Sequence, residues 1–257
     1  MLFLIGLGLD IGDISEKGLS QLKLCQYIFL DPYTNKVARE YIDYIEKETG
    51  KKVVLLGRSD LEEKAKETLK NAKTSNVAIL VSGDPLIATT HHTTLIDLAS
   101  KEGIGVKVFH AASIFSAAMG ASGLDVYKFG PTTTIPFWSE KYKPVSFMDV
   151  IGKNLANGEH TLVLLDYDYK KEKGLSLLEA IDLLERARGI RKVEFDKLVV
   201  LGDVGKEGEL IMFGSISVLK NVASKFENKI ISIIVPASLN FSEEEALSKY
   251  LFPISKS

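Results

Sequence analysis

Gly83-Asp84-Pro85 is the point of the chain where residue types most clearly invite chemistry. A carboxylate sits between a residue with unusual dihedral freedom and one that cannot extend a strand, and His91-His92 follow closely. An acid beside imidazoles suggests a metal. Adjacent helical residues, however, point about 100° apart, so His91 and His92 do not readily face one ion. The other histidines are His110 and His160, and no metal site is expected. Serines near histidines suggest a hydrolase, but no Gly-x-Ser-x-Gly elbow exists. Gly-Lys-Ser/Thr never occurs, so no P-loop is present. Asp166-Tyr167-Asp168 offers two acids, but their side chains alternate if the strand continues through them.

The elements around these residues give Asp84 its interest. Val77-Ala78-Ile79-Leu80-Val81 reads as a strand buried on both faces, and Gly83-Asp84-Pro85 lies at its C-terminal edge, where open α/β sheets bind ligands. Strands are also expected at 2–5, 27–30, 52–56 and 106–110. Between them come helices at 35–49, 60–72 and 90–102 and one beginning at Ser15, whose apolar face includes Leu19, Leu22 and Cys25. Small residues at Ala111 to Ser113 follow the fifth strand and lead into a helix of small residues. This alternation implies a parallel sheet covered on both faces. Gly6-x-Gly8 after the first strand opens a dinucleotide fingerprint, but Ile11 stands where its third glycine belongs, and Asp31-Pro32 reads as a turn.

The glycine-rich stretch 120–131 breaks the rhythm. We place the boundary there: an α/β domain at 1–120 and a mixed α/β domain at 121–257. The second half has strands at 132–136, 161–166, 198–203, 210–213, 215–218 and 230–235, and helices at 146–156 and 176–188. A tail helix at 242–251 opens on a Ser242/Glu245 capping box. Successive strands without an intervening helix imply antiparallel pairing.

The 257 residues are 46% hydrophobic and 26% charged, with a formal net charge of −2. Neither nucleic acid nor an anionic membrane is an expected partner. The short apolar N-terminus meets Asp10 and Asp13 at once and does not read as a signal peptide, and no apolar run is long enough for a membrane helix. The lone Cys25 reads as a core residue and makes a cytoplasmic location the simplest expectation.

FLIGLGL at 3–9, SGDPLIATTHH at 82–92, HAASIFSA at 110–117, YKFG at 127–130, HTLVLLD at 160–166 and IIVP at 233–236 occur in one order along the chain. In these motifs the sequence resembles the diphthine synthases, which are tetrapyrrole-methylase-like S-adenosylmethionine methyltransferases. Two departures stand out. HAAS replaces a proline-containing turn, and the glycine turn runs Gly8-Leu9-Asp10-Ile11-Gly12-Asp13 before Ser15, which leaves the parts of Asp10 and Asp13 open. The resemblance implies a two-domain tetrapyrrole-methylase-like α/β fold, with the donor S-adenosyl-L-methionine in a cleft between the domains of a homodimer. It implies donor contacts at Leu9, Asp84, Ile87, Ser113, Ile114 and Leu165, with Val204 and Ile231 in the less densely matching half. It also implies N-methylation of the 3-amino-3-carboxypropyl group on a histidine of translation elongation factor 2, giving diphthine and S-adenosyl-L-homocysteine. Alternatives are a corrin or porphyrin C-methyltransferase of the same fold and a non-catalytic nucleotide-binding scaffold. His91, His92 and Asp166 are candidate bases among which nothing in the sequence chooses, so no catalytic residue is assigned. Tyr127-Lys128 is a candidate rim for a protein substrate.

Overall fold

The computed structural model describes residues 1–32, 37–61, 64–88, 91–168 and 171–251. The chain divides into two compact units. The first is Met1–Ile114 with Tyr167–Glu172; the second is Phe115–Asp166 and the chain from Lys173 onward.

In the first unit β1 (Leu2–Gly6), α1 (Glu16–Lys23), β2 (Tyr27–Asp31), α2 (Arg39–Thr49) and β3 (Val53–Leu55) come first. Then follow α3 (Arg58–Leu61), α4 (Ala65–Lys70), β4 (Val77–Val81), α5 (His91–Lys101) and β5 (Val106–Phe109). The strands form one sheet in the order β3-β2-β4-β1-β5, parallel throughout. Strand periodicity explains its apolar runs. Phe3, Ile5, Ala78 and Leu80 pack with Leu22 of α1 and Ile42 and Ile45 of α2. The alternate residues Leu2, Leu4, Val77 and Ile79 pack with Leu61, Leu69, Leu95 and Ala99 of α3, α4 and α5. Every residue of β1 and β4 is buried because helices cover both faces.

The second unit contains α6 (Ile114–Ser122, its first residue belonging to the first unit), β6 (Thr133–Ile135), α7 (Ser146–Ala156) and β7 (Thr161–Leu165). The chain passes through β8 (Tyr167–Asp168) and returns at β9 (Lys173–Gly174). It continues as α8 (Leu177–Arg191), β10 (Lys197–Gly202), β11 (Leu210–Ser215), α9 (Ile216–Asn221), β12 (Ile231–Val235) and α10 (Phe241–Ser248). The sheet runs β11-β10-β12-β7-β6. Its pairings are antiparallel except β6 with β7. Phe147, Ile151, Ile181, Leu184, Leu219 and Phe226 bury one face.

Four expectations change in detail. The 215–218 strand is the start of α9: alternating Ser-Ile-Ser-Val suits a strand, but the Ser215 hydroxyl accepts the Val218 N–H and caps a helix. The tail helix opens on an Asn240/Glu243 capping box, not Ser242/Glu245. The 60–72 helix is α3, α4 and a 3-10 turn at Asn71–Lys73, with residues 62–63 outside the described set. Cys25 lies beyond the end of α1 rather than on it. It is fully buried, its Sγ 3.4 Å from the Gln21 carbonyl, and burial pushes its thiol up to about 11. The expected helix starts at 35 and 90 also fall outside the described residues; α2 and α5 are described from Arg39 and His91. Among the described residues no helix is long and apolar enough to cross a membrane.

Candidate functional site

The ends of β4, β1 and β5 lie side by side, and the middle one carries no side chain at its last residue. A Cβ on Gly6 would stand 2.6 Å from the Gly83 carbonyl oxygen, 2.8 Å from Ala111 Cβ and 3.0 Å from Pro85 Cδ. Glycine at position 6 therefore lets the turns after β4 and β5 close over the end of β1. Gly8 and Gly83, both with φ of 74°, fasten the turns: Gly83 N–H donates to the Gly8 carbonyl at 2.8 Å and Gly8 N–H returns the bond at 3.3 Å. The Asp13 carboxylate accepts the Leu9 and Asp10 N–H groups at 2.9 and 3.0 Å, which settles its part as a holder of the glycine turn. The buried Tyr41 hydroxyl donates to the Leu7 carbonyl.

Asp84 joins the two outer turns. It is 6% exposed. Its Oδ1 accepts the Leu86 N–H at 2.9 Å, and its Oδ2 accepts the Ala111 N–H at 3.3 Å and meets His110 Nδ1 at 2.8 Å. A carboxylate only accepts, so Nδ1 carries the proton. The His110 side chain is 68% exposed, and its Nε2 has no hydrogen-bond partner among the described residues. Around this junction Leu9, Ser113 and Ile114 are half-buried and Ile87 is 41% exposed. Ala88, just after Ile87, has a φ of 58°, uncommon for a residue with a side chain. The first-unit residues singled out from the sequence thus lie on the loops at one edge of the parallel sheet.

The second unit gathers its three in the same way. Leu165 ends β7 and Ile231 begins β12, and the registers pairing Leu164 with Ser232 and Gly202 with Ile231 put these strand ends along one edge. Val204 follows β10 by two residues and is buried. Asp203, with φ of 51°, shapes that turn: it accepts the Ile230 N–H at 2.9 Å and pairs with Lys229 at 3.1 Å. Asp166 and Asp168 each have a partner of their own. Asp166 accepts the Phe137 N–H at 3.1 Å, whereas Asp168 pairs with Lys171 at 3.1 Å.

The His91 and His92 side chains lie outside the described residues, and among the described residues no group of three potential metal ligands occurs. Tyr127 is 95% exposed, but Lys128 turns into a buried network that the sequence does not announce. Lys128 Nζ donates to Glu243 Oε2 at 2.6 Å, and His160 Nε2 lies 2.9 Å from Glu243 Oε1. The His160 Nδ1 accepts the Ala237 N–H, so its proton is on Nε2.

Residues 1–219 match the model of the tetrapyrrole (corrin/porphyrin) methylases. A diphthine synthase of Methanothermobacter thermautotrophicus is 39% identical over 96% of this chain and 94% of its own length.

The chain belongs to the tetrapyrrole methylase family.

Within that family it is similar to the mouse diphthine methyl ester synthase, 37% identical over 100% of this chain and 99% of that protein. A crystal structure of diphthine synthase superposes with a TM-score of 0.86 at 30% identity, covering 97% of this chain and 95% of the other. The expected fold, a parallel sheet followed by a mixed one, is that of the family.

In this tetrapyrrole methylase the Gly6 junction gives a direct prediction. Gly6→Ala is expected to lower stability by about 1–3 kcal/mol, the usual range for overpacking. Gly120→Ala in α6, where an added Cβ meets nothing within 4 Å, is expected to be neutral or slightly stabilising. Urea denaturation of both checks it; equal midpoints would remove the steric claim.

Proposed function

We propose that this protein is an S-adenosyl-L-methionine-dependent methyltransferase that N-methylates the 3-amino-3-carboxypropyl-histidine of translation elongation factor 2, giving diphthine in diphthamide biosynthesis. The observation that carries this reading is near-full-length similarity to diphthine synthases, with the motif residues gathered on strand-end loops. Leu9, Asp84, Ile87, Ser113 and Ile114 of the first unit, and Leu165, Val204 and Ile231 of the second, are its donor-binding residues. The first-unit edge suits such a ligand. Half-buried apolar groups at Leu9 and Ile114 fit an adenine, and the half-buried Ser113 and its loop fit a ribose and an amino acid. The bound sulfonium supplies an electrophilic methyl group. The protein's own tasks are to align the neutral amine and to keep water out. The reading includes domains at 1–120 and 121–257, a homodimer and a cytoplasmic location.

Calorimetry with S-adenosylmethionine and S-adenosylhomocysteine is expected to show binding of both; binding of neither would sink the enzyme reading. Mass spectrometry of elongation factor 2 bearing the amino-carboxypropyl histidine is expected to show gains in methyl steps. Gain on a precorrin with none on that protein would favour the C-methyltransferase reading.

A further inference from the structure

The pair Asp84–His110 has the construction of an oriented base. A buried carboxylate, itself fixed by the Leu86 and Ala111 N–H groups, holds Nδ1–H of a ring that is mostly exposed. That hydrogen bond sets the tautomer, so Nε2 keeps its lone pair and faces no partner among the described residues. A ring held this way cannot turn freely and presents one acceptor in one place. His110 follows β5 directly and precedes Ser113 and Ile114, the donor-binding loop of the proposed function.

We infer that His110 is the proton acceptor for the substrate amine, with Asp84 as its positioning residue; this rests on the methyl-transfer reading. An alkyl amine is largely an ammonium ion at neutral pH and has no lone pair to offer. An N–H bond of the ammonium breaks, its electron pair stays on nitrogen, and the proton bonds to Nε2. The resulting imidazolium is held by the Asp84 carboxylate through Nδ1–H and passes the proton to water. The freed amine is then the nucleophile for the methyl group. Each methyl addition needs one such deprotonation, the last on a tertiary ammonium. Asp84 is too buried to do this itself, and the Asp166 carboxylate is bonded to the Phe137 N–H.

The test uses the full chain and His110→Asn, whose amide can still donate to Asp84 but offers no acceptor at the Nε2 position. Turnover on modified elongation factor 2 is expected to fall by about 100-fold or more. Calorimetric affinity for S-adenosylmethionine is expected to stay at the wild-type value, and added imidazole to restore part of the rate. Wild-type turnover in His110→Asn, or loss without imidazole rescue, would overturn the assignment. Nitrogen NMR of the wild-type protein gives a readout without turnover. It is expected to show the ring's hydrogen-bonded proton on Nδ1 with Nε2 bare, and the tautomer with Nε2 protonated and Nδ1 bare would equally overturn the inference. Failure of the wild type itself to methylate would instead count against the proposed function.

Discussion

Glu243→Ala is expected to destabilise the second unit by about 3–5 kcal/mol, the usual cost of stripping one partner from a buried ion pair. Glu243 is 2% exposed and accepts from Lys128 Nζ, His160 Nε2 and the Asp125 and Asn240 N–H groups. Truncation takes that acceptor from His160 Nε2 and from the Asp125 and Asn240 N–H groups, leaves Lys128 Nζ with only its bond to the Ser238 carbonyl, and removes half of the capping box that starts α10. The network also has a pH signature. Burial pushes the Glu243 carboxyl up, but the bonds from Lys128, Asn240, His160 and Asp125 outweigh it and bring it from 4.5 to about 2. A depressed carboxyl contributes stability above its unfolded value and loses it as pH falls toward the folded one, here from 4.5 down to about 2. The difference corresponds to about 3 kcal/mol. Burial lowers the His160 value despite the pull of Glu243, so the neutral ring favours the fold above 6.5 and that contribution fades below it. Urea titrations across acidic pH should therefore show stability falling below 6.5 and again below 4.5. In Glu243→Gln the lower step should shrink sharply; an unchanged lower step would assign it to other carboxylates.

This network shows where sequence reading stops. His160 and Lys128 lie in motifs that are visible in the chain, but their common partner is 83 and 115 positions away. The capping box was ambiguous for a related reason. Asn240-x-x-Glu243 and Ser242-x-x-Glu245 have the same spacing, and only the first has an acid that Lys128 and His160 also engage. The first sheet was legible because its strands β1 and β4 are buried on both faces and read as unbroken apolar runs, each ending at a glycine turn. Asp84 could be placed at a strand end, but its bond to His110 could not be read. It depends on β1 lying between β4 and β5, a strand order that sequence adjacency does not supply, and on Gly6 keeping that middle position low. The histidines that drew notice were the adjacent pair His91-His92; the one bonded to the central carboxylate is His110.

Asp84→Ala is expected to cost about 2–4 kcal/mol of stability and to weaken S-adenosylmethionine binding at least about tenfold. The stability loss follows from the Leu86 and Ala111 N–H groups and the His110 ring, all of which lose the same acceptor. A buried orphaned donor costs about 1–3 kcal/mol, and the exposed imidazole can turn to water, so the sum stays well below three full penalties. The binding loss follows from where those bonds lie: they hold together the loops that carry Ile87, Ser113 and Ile114. Asp84→Asn keeps an acceptor oxygen and nearly the same shape, so it should fall between wild type and alanine in stability. It should also release the His110 tautomer, because an amide nitrogen facing Nδ1 would ask that atom to accept instead. Gly6→Ala disturbs the same junction from beneath, so its cost and that of Asp84→Ala should combine less than additively, which urea denaturation of the double variant measures. Calorimetry on folded Asp84→Ala carries the functional half. Donor affinity equal to that of the wild type would mean the methyl donor binds away from this sheet edge, and the role given to Leu9, Ile87, Ser113 and Ile114 would go with it.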